Sequence, residues 1–108
     1  MADHEFEQLK REFLAEARDK VQEIETSLDD RRPDRLERMT YLAHQLKGSG
    51  GSYGFQRISS DAAQLEKAAE LLAKGSDDGQ LEEKIQQHVV NIRAEIDKRQ
   101  REMTAAVS

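Results

Sequence analysis

The chain has 108 residues, with 17 Lys and Arg against 22 Asp and Glu, a net charge of −5, 36% charged and 5% aromatic residues, one proline and no cysteine. That length suits one domain with a single core, and the missing cysteines exclude disulfides, thiolate metal sites and thiol nucleophiles. The acidic balance argues against nucleic acid as a partner, leaving only local patches such as Arg31-Arg32, and no apolar run approaches the roughly 20 residues that cross a bilayer.

The charged, amphipathic opening from Met1 to Phe13 does not resemble a signal peptide, so the expected setting is cytoplasmic, without membrane contact. High charge with few aromatics and a single proline reads as amphipathic helices with solvated outer faces, an all-α fold.

The first pattern runs from about Asp3 to Leu28, with Phe6, Leu9, Phe13, Ala17, Val21, Ile24 and Leu28 nearly in heptad register. It ends at Asp29-Asp30-Arg31-Arg32-Pro33, where proline disfavours helix at Arg32 and suits the first turn of a new one. A second helix, about Pro33 to Ser52, places Leu36, Met39, Ala43 and Leu46 on one face. Gly54 can adopt the left-handed geometry that closes it, with Phe55 packing back.

The third pattern begins near Gln56 or Arg57, carries Ile58, Ala62, Leu65, Ala69 and Leu72, and ends at Lys74 with Gly75 as cap. Ser76, Asp77 and Asp78 offer capping oxygens to a fourth pattern of Leu81, Ile85, Val89, Ile92 and Ile96 that reaches about Met103. Four helices with short connections predict an antiparallel up-down four-helix bundle, a single domain over 1–108 with its core at about 3–103 and a frayed tail at 104–108.

Four of the six glycines fall within the stretch Ala43-His44-Gln45-Leu46-Lys47-Gly48-Ser49-Gly50-Gly51-Ser52-Tyr53-Gly54-Phe55. His44 points well over a right angle away from the apolar stripe of its helix and is therefore exposed; Lys47 and Gly48 share its face, and Gly51 lies over it two turns on. Alone, His44 reads as a surface histidine and Lys47 as a solvated lysine. Together they are a nitrogen nucleophile that can carry a phosphoryl group and a cation that can neutralise its oxygens. Gly48 costs about 0.8–1.0 kcal/mol of helix propensity relative to Ala, and a bare backbone beside the histidine would clear the approach of a second protein.

The run His44-Gln45-Leu46-Lys47-Gly48-Ser49, continuing to Gly54-Phe55, resembles the signature of histidine phosphotransfer (Hpt) domains, and the likeness extends to most of the chain. That family is a four-helix bundle with its active histidine exposed on the second helix. The resemblance implies a phosphorelay intermediate, which accepts a phosphoryl group from a receiver-domain aspartyl phosphate or a kinase and passes it to a response-regulator receiver. It implies His44 as phosphoacceptor at Nε2, Lys47 as the nearby cation and Gly48 as the residue that clears space. Expected partners are receiver domains and a sensor histidine kinase, hybrid kinases included; Mg²⁺ is expected on the receiver, with no cofactor of the chain's own, and the chain is expected to be a monomer.

Several family members place glutamine on the third helix beside the histidine. The aligned position here is Glu66, with Gln64 two residues earlier, and a carboxylate there would repel a phosphoryl dianion unless it points away or holds Lys47. Tyr41, Leu42, Gln45 and Phe55 could frame a docking surface, with Gly51 helping to keep it open.

Other chemistries fit less well. No histidine has Glu three residues before it, as a bundle metal site would; His88 reads as a boundary residue and His4 as part of a fraying terminus. The glycine run lacks the Lys-Ser/Thr of a phosphate-binding loop and follows a helix rather than a strand. A kinase would need a nucleotide-binding domain, so the chain reads as a carrier rather than an enzyme. The alternative is a helical adaptor that binds a signalling partner without phosphotransfer.

Overall fold

The computed structural model describes residues 2–30, 32–76 and 79–107, with side chains over 4–30, 32–76 and 79–105. Four helices follow in order: α1 (Ala2–Asp29), α2 (Arg35–Ser52), α3 (Gln56–Ala73) and α4 (Leu81–Val107). Each packs against its neighbours in a closed ring, α1 on α2, α2 on α3, α3 on α4 and α4 on α1. The pairings run antiparallel: Arg38 of α2 reaches Glu23 late in α1, Lys47 of α2 reaches Glu66 of α3, and Arg18 of α1 reaches Asp97 and Gln100 late in α4. The chain is thus an up-down four-helix bundle.

The core follows the apolar phasing closely. Phe13, Ala17, Val21 and Ile24 of α1, Met39, Ala43 and Leu46 of α2, Ile58, Ala62, Leu65 and Ala69 of α3, and Leu81, Ile85, Val89, Ile92 and Ile96 of α4 are all buried. Alanines at 43, 62 and 69 leave little side chain between α2 and α3, which helps these two helices approach closely.

Helix ends differ from the expected ones in instructive places. Pro33 and Asp34 form a turn in which the Arg35 amide donates to Arg32 O at 3.1 Å, so α2 starts at Arg35 and proline sits where its fixed φ suits the second position of a turn. Gly54, at φ +83°, closes α2 with paired bonds, Phe55 N to Gly50 O at 2.8 Å and Gly54 N to Gly51 O at 3.1 Å. Gly75, at φ +90°, closes α3 in the same way through Ser76 N to Leu71 O and Gly75 N to Leu72 O. The expected caps Asp77 and Asp78 lie outside the described residues, as does Arg31 of the basic pair. The fourth helix does not stop near Met103 but continues to Val107; Ser108 lies outside the described residues.

At 28 and 27 residues, α1 and α4 outrun α2 and α3, which have 18 each. The start of α1 and the end of α4 therefore overhang the α2–α3 turn. Phe6 and Leu9, on the apolar stripe of α1, are in consequence exposed, with Phe6 leaning on the Tyr53 ring at 5.9 Å.

Candidate functional site

The middle of α2 presents His44 on its outer side, 66% exposed, while the seam with α3 lies alongside. Glu66 enters that seam from α3 and is only 13% exposed. Its two carboxylate oxygens are divided between two partners: His44 Nδ1 lies 2.9 Å from Oε2, and Lys47 Nζ donates to Oε1 at 2.7 Å. The Ser59 hydroxyl donates to Lys47 O at 2.8 Å and ties the start of α3 to the same turn of α2.

Burial alone would push the Glu66 carboxyl up, but the hydrogen bonds from Lys47 and His44, with the charge on both, outweigh it and hold Glu66 below its ordinary 4.5. Glu66 is thus an anion at neutral pH. An anionic carboxylate only accepts, so the proton between it and the ring belongs to Nδ1. A neutral imidazole held this way keeps its lone pair on Nε2, on the far side of the ring from Glu66.

Gly48 is open: a Cβ built there would meet nothing within 4 Å. The other glycines of the stretch serve packing or turns. Gly50 is buried where a Cβ would lie 3.2 Å from Ser59 N and 3.3 Å from Ile58 Cγ2. Gly51 faces α3, with a Cβ 3.4 Å from Ser59 Oγ, rather than open space beside His44.

Tyr41 is 52% exposed, accepts a hydrogen bond from Gln45 Nε2 at 2.8 Å, and carries the Arg38 guanidinium over its ring at 5.5 Å. His44 stands between two hollows. One runs along the α2–α3 seam past Leu36, Thr40, Tyr41, Glu66 and Glu70. The other faces α1 and is lined by Lys20, Gln45, Gly48, Ser49, Ser52 and Tyr53.

Three of the expected site residues are elsewhere. Phe55 is 8% exposed, stacked on Phe13 at 5.7 Å, because the Gly54 turn directs it into the core; Leu42 is 2% exposed, packed within the bundle. Gln64 is exposed but lies roughly 160° around α3 from Glu66, away from α2. Lys20 belongs to α1 and has no signal in the local motif; only its phase on α1 could have pointed to it. His88 holds Asp61 across the α3–α4 seam rather than the α2–α3 seam, Nδ1 to Oδ1 at 2.8 Å.

The model of one protein family, described as the Hpt domain, matches residues 8–102 of the chain. The chain belongs to the Hpt domain family. No curated protein and no solved structure gives a significant match. Hpt domains carry phosphoryl groups on histidine in two-component signalling, exchanging them with response-regulator receivers and histidine kinases. In this Hpt domain the matched span takes in the whole of α2 and α3 and hence the His44–Glu66–Lys47 cluster. Among the described residues, no helix is long and apolar enough to cross a membrane.

Proposed function

We propose that this Hpt domain is a phosphorelay intermediate that takes a phosphoryl group onto His44 Nε2 from a receiver aspartyl phosphate or a kinase and gives it to a response-regulator receiver. The observation that supports this most is the His44 ring itself, 66% exposed, held through Nδ1 by an anionic Glu66 and lining one hollow with the bare Gly48.

In the forward step Nε2 attacks phosphorus in line; the P–N bond forms as the bond from phosphorus to the aspartyl oxygen breaks, and the carboxylate leaves with its electron pair. The ring keeps its Nδ1 proton and becomes a phosphoimidazolium, one positive charge richer. Glu66, already accepting from Nδ1, offsets that charge at the moment it develops. Transfer onward reverses the sequence onto the next aspartate. The partner receiver supplies Mg²⁺ and the geometry of its own acidic site.

The repulsion expected between Glu66 and a phosphoryl dianion is reduced by where its charge is directed, one oxygen to Nδ1–H and the other to Lys47. Lys47 thereby serves as the counter-charge on the α3 side. Tyr41 and Gln45, joined by their hydrogen bond on the outer face, form the rim that a docked receiver meets.

The test is to mix the protein with phosphorylated receiver and Mg²⁺ and follow label that is acid-labile and base-stable. Label on wild type and none on His44→Gln is the expected result. A wild type that binds receivers without taking label is instead an adaptor, and label on His44→Gln equal to wild type places the phosphoryl group on another residue.

A further inference from the structure

Lys47 is the cation that the motif offers to a phosphoryl group, yet its ammonium is engaged by Glu66 Oε1 at 2.7 Å, on the α3 side of the histidine. The reactive nitrogen opens the other way. With Nδ1 turned to Glu66, Nε2 points away from that carboxylate, and His44 and the bare Gly48 together line the hollow on the α1 side. Among the described residues lining that hollow, Lys20 is the one that carries a full positive charge.

The register explains how Lys20 gets there. Arg38 pairs with Glu23, and Arg35 donates to Ser27 O, so the antiparallel α1 brings Lys20 opposite the turn of α2 that holds His44. Its charge is unspent. Glu23, one turn further along α1, is taken by Arg38, and no carboxylate lies within ion-pairing distance of Lys20 among the described residues. Lys20 is half-buried and lines the hollow, and a lysine stem lying against the bundle leaves its ammonium free to reach into the open space.

Resting on the reading of His44 as phosphoacceptor, we propose that Lys20 is a second phosphoryl-binding cation of this site, contacting the non-bridging oxygens of phospho-His44 from α1. It moves no proton. It makes the phosphoryl group's negative charge less costly at the nitrogen and during its passage to or from a receiver.

The experiment uses phosphoramidate as donor, so that no docking partner is required: the phosphoryl group moves to Nε2 and ammonia leaves. The ³¹P resonance of the labelled protein is followed against pH, together with single-turnover transfer to a receiver. A nearby cation favours the phosphoryl dianion, so Lys20→Ala should raise the midpoint of its last protonation by about a few tenths of a unit, and Lys20→Arg should restore it. Transfer by Lys20→Ala should be about fivefold slower with receiver affinity little changed, a loss confined to the reacting group. A His44-labelled wild type whose midpoint and transfer rate are both matched by Lys20→Ala overturns the role of Lys20 alone. A wild type that phosphoramidate labels only at other residues overturns the His44 reading, and Lys20's role with it.

Discussion

Glu66 Oε2 lies 2.9 Å from His44 Nδ1 across the α2–α3 seam, while Oε1 accepts from Lys47 at 2.7 Å. One carboxylate thus sets the ring's tautomer and holds the cation beside it. Replacing Glu66 by Ala removes both, and replacing it by Gln keeps an amide oxygen that can accept from Nδ1–H but not the charge that balances a phosphoimidazolium. Hydrogen bonds to charged groups contribute about 1.5–3 kcal/mol. Transfer should therefore slow about tenfold in Glu66→Gln and further in Glu66→Ala, measured in a single turnover. Long-range ¹H–¹⁵N spectra supply the independent check: wild type should show the Nδ1–H tautomer, and Glu66→Ala a mixture. A single tautomer unchanged in Glu66→Ala would remove the orienting role.

Two glycines two residues apart should respond in opposite directions to the same substitution. A Cβ at position 48 meets open space, so Gly48→Ala should raise stability by about 0.8–1.0 kcal/mol through helix propensity, and Gly48→Gln nearly as much. Transfer should fall in both, more in Gly48→Gln, as side chain fills the approach to Nε2. A Cβ at position 50 would press on Ser59 N and Ile58 Cγ2 at 3.2 and 3.3 Å, so Gly50→Ala should lower the melting temperature. Thermal melts beside transfer assays separate the cases. A Gly48→Gln protein that is more stable and transfers at the wild-type rate would show that open space at 48 is not used.

This division among the glycines shows what a single chain's periodicity can and cannot reveal. His44, Lys47 and Gly48 are legible because they lie on one helix, where spacing alone fixes their mutual direction. The choice between Glu66 and Gln64 is not. Glu66 lies about 70° to one side of the centre of the Ile58–Ala62–Leu65–Ala69 stripe and Gln64 about 130° to the other, and which flank meets α2 depends on the hand of the bundle, which α3's own pattern does not carry. Phe55 follows the motif in sequence, yet the left-handed Gly54 directs it inward onto Phe13. Leu42 is buried because α2 packs against α1 as well as α3, which widens its apolar face beyond the Leu36–Met39–Ala43–Leu46 line. Lys20 comes from a different helix altogether, and only the antiparallel register brings it to the site.

Lys47→Ala should separate chemistry from folding. Its ion pair with Glu66 is partly solvated, the lysine side chain being 39% exposed, and such pairs contribute roughly 0.2–1 kcal/mol. The melting temperature should hence fall by only a few degrees, about what that energy produces in a domain of this size. Transfer should slow more than this, because the variant loses a cation near the phosphoryl group and leaves Glu66 less well neutralised. Circular dichroism melts and transfer rates on the same preparation decide the matter; an equal melt with an unchanged rate would remove Lys47 from the mechanism.

Acid should act on the same cluster. Burial raises the Glu66 carboxyl, but its bonds from Lys47 and His44 outweigh that and set it below 4.5; Glu23 is likewise lowered, by its hydrogen bond from Arg38 against a burial effect of opposite sign. A carboxyl depressed in the folded chain binds its proton more readily when unfolded. Its contribution is thus fully present above the ordinary value of 4.5 and is lost as pH falls through the lower, folded value. Urea midpoints should be nearly flat in this respect just above pH 5 and decline below about 4.5. Glu66→Gln should flatten part of that decline and Glu23→Gln another part, nearly additively, since the two sit on separate helices with separate partners. A double variant whose acid profile still matches wild type would show that these two carboxylates do not set the chain's acid sensitivity.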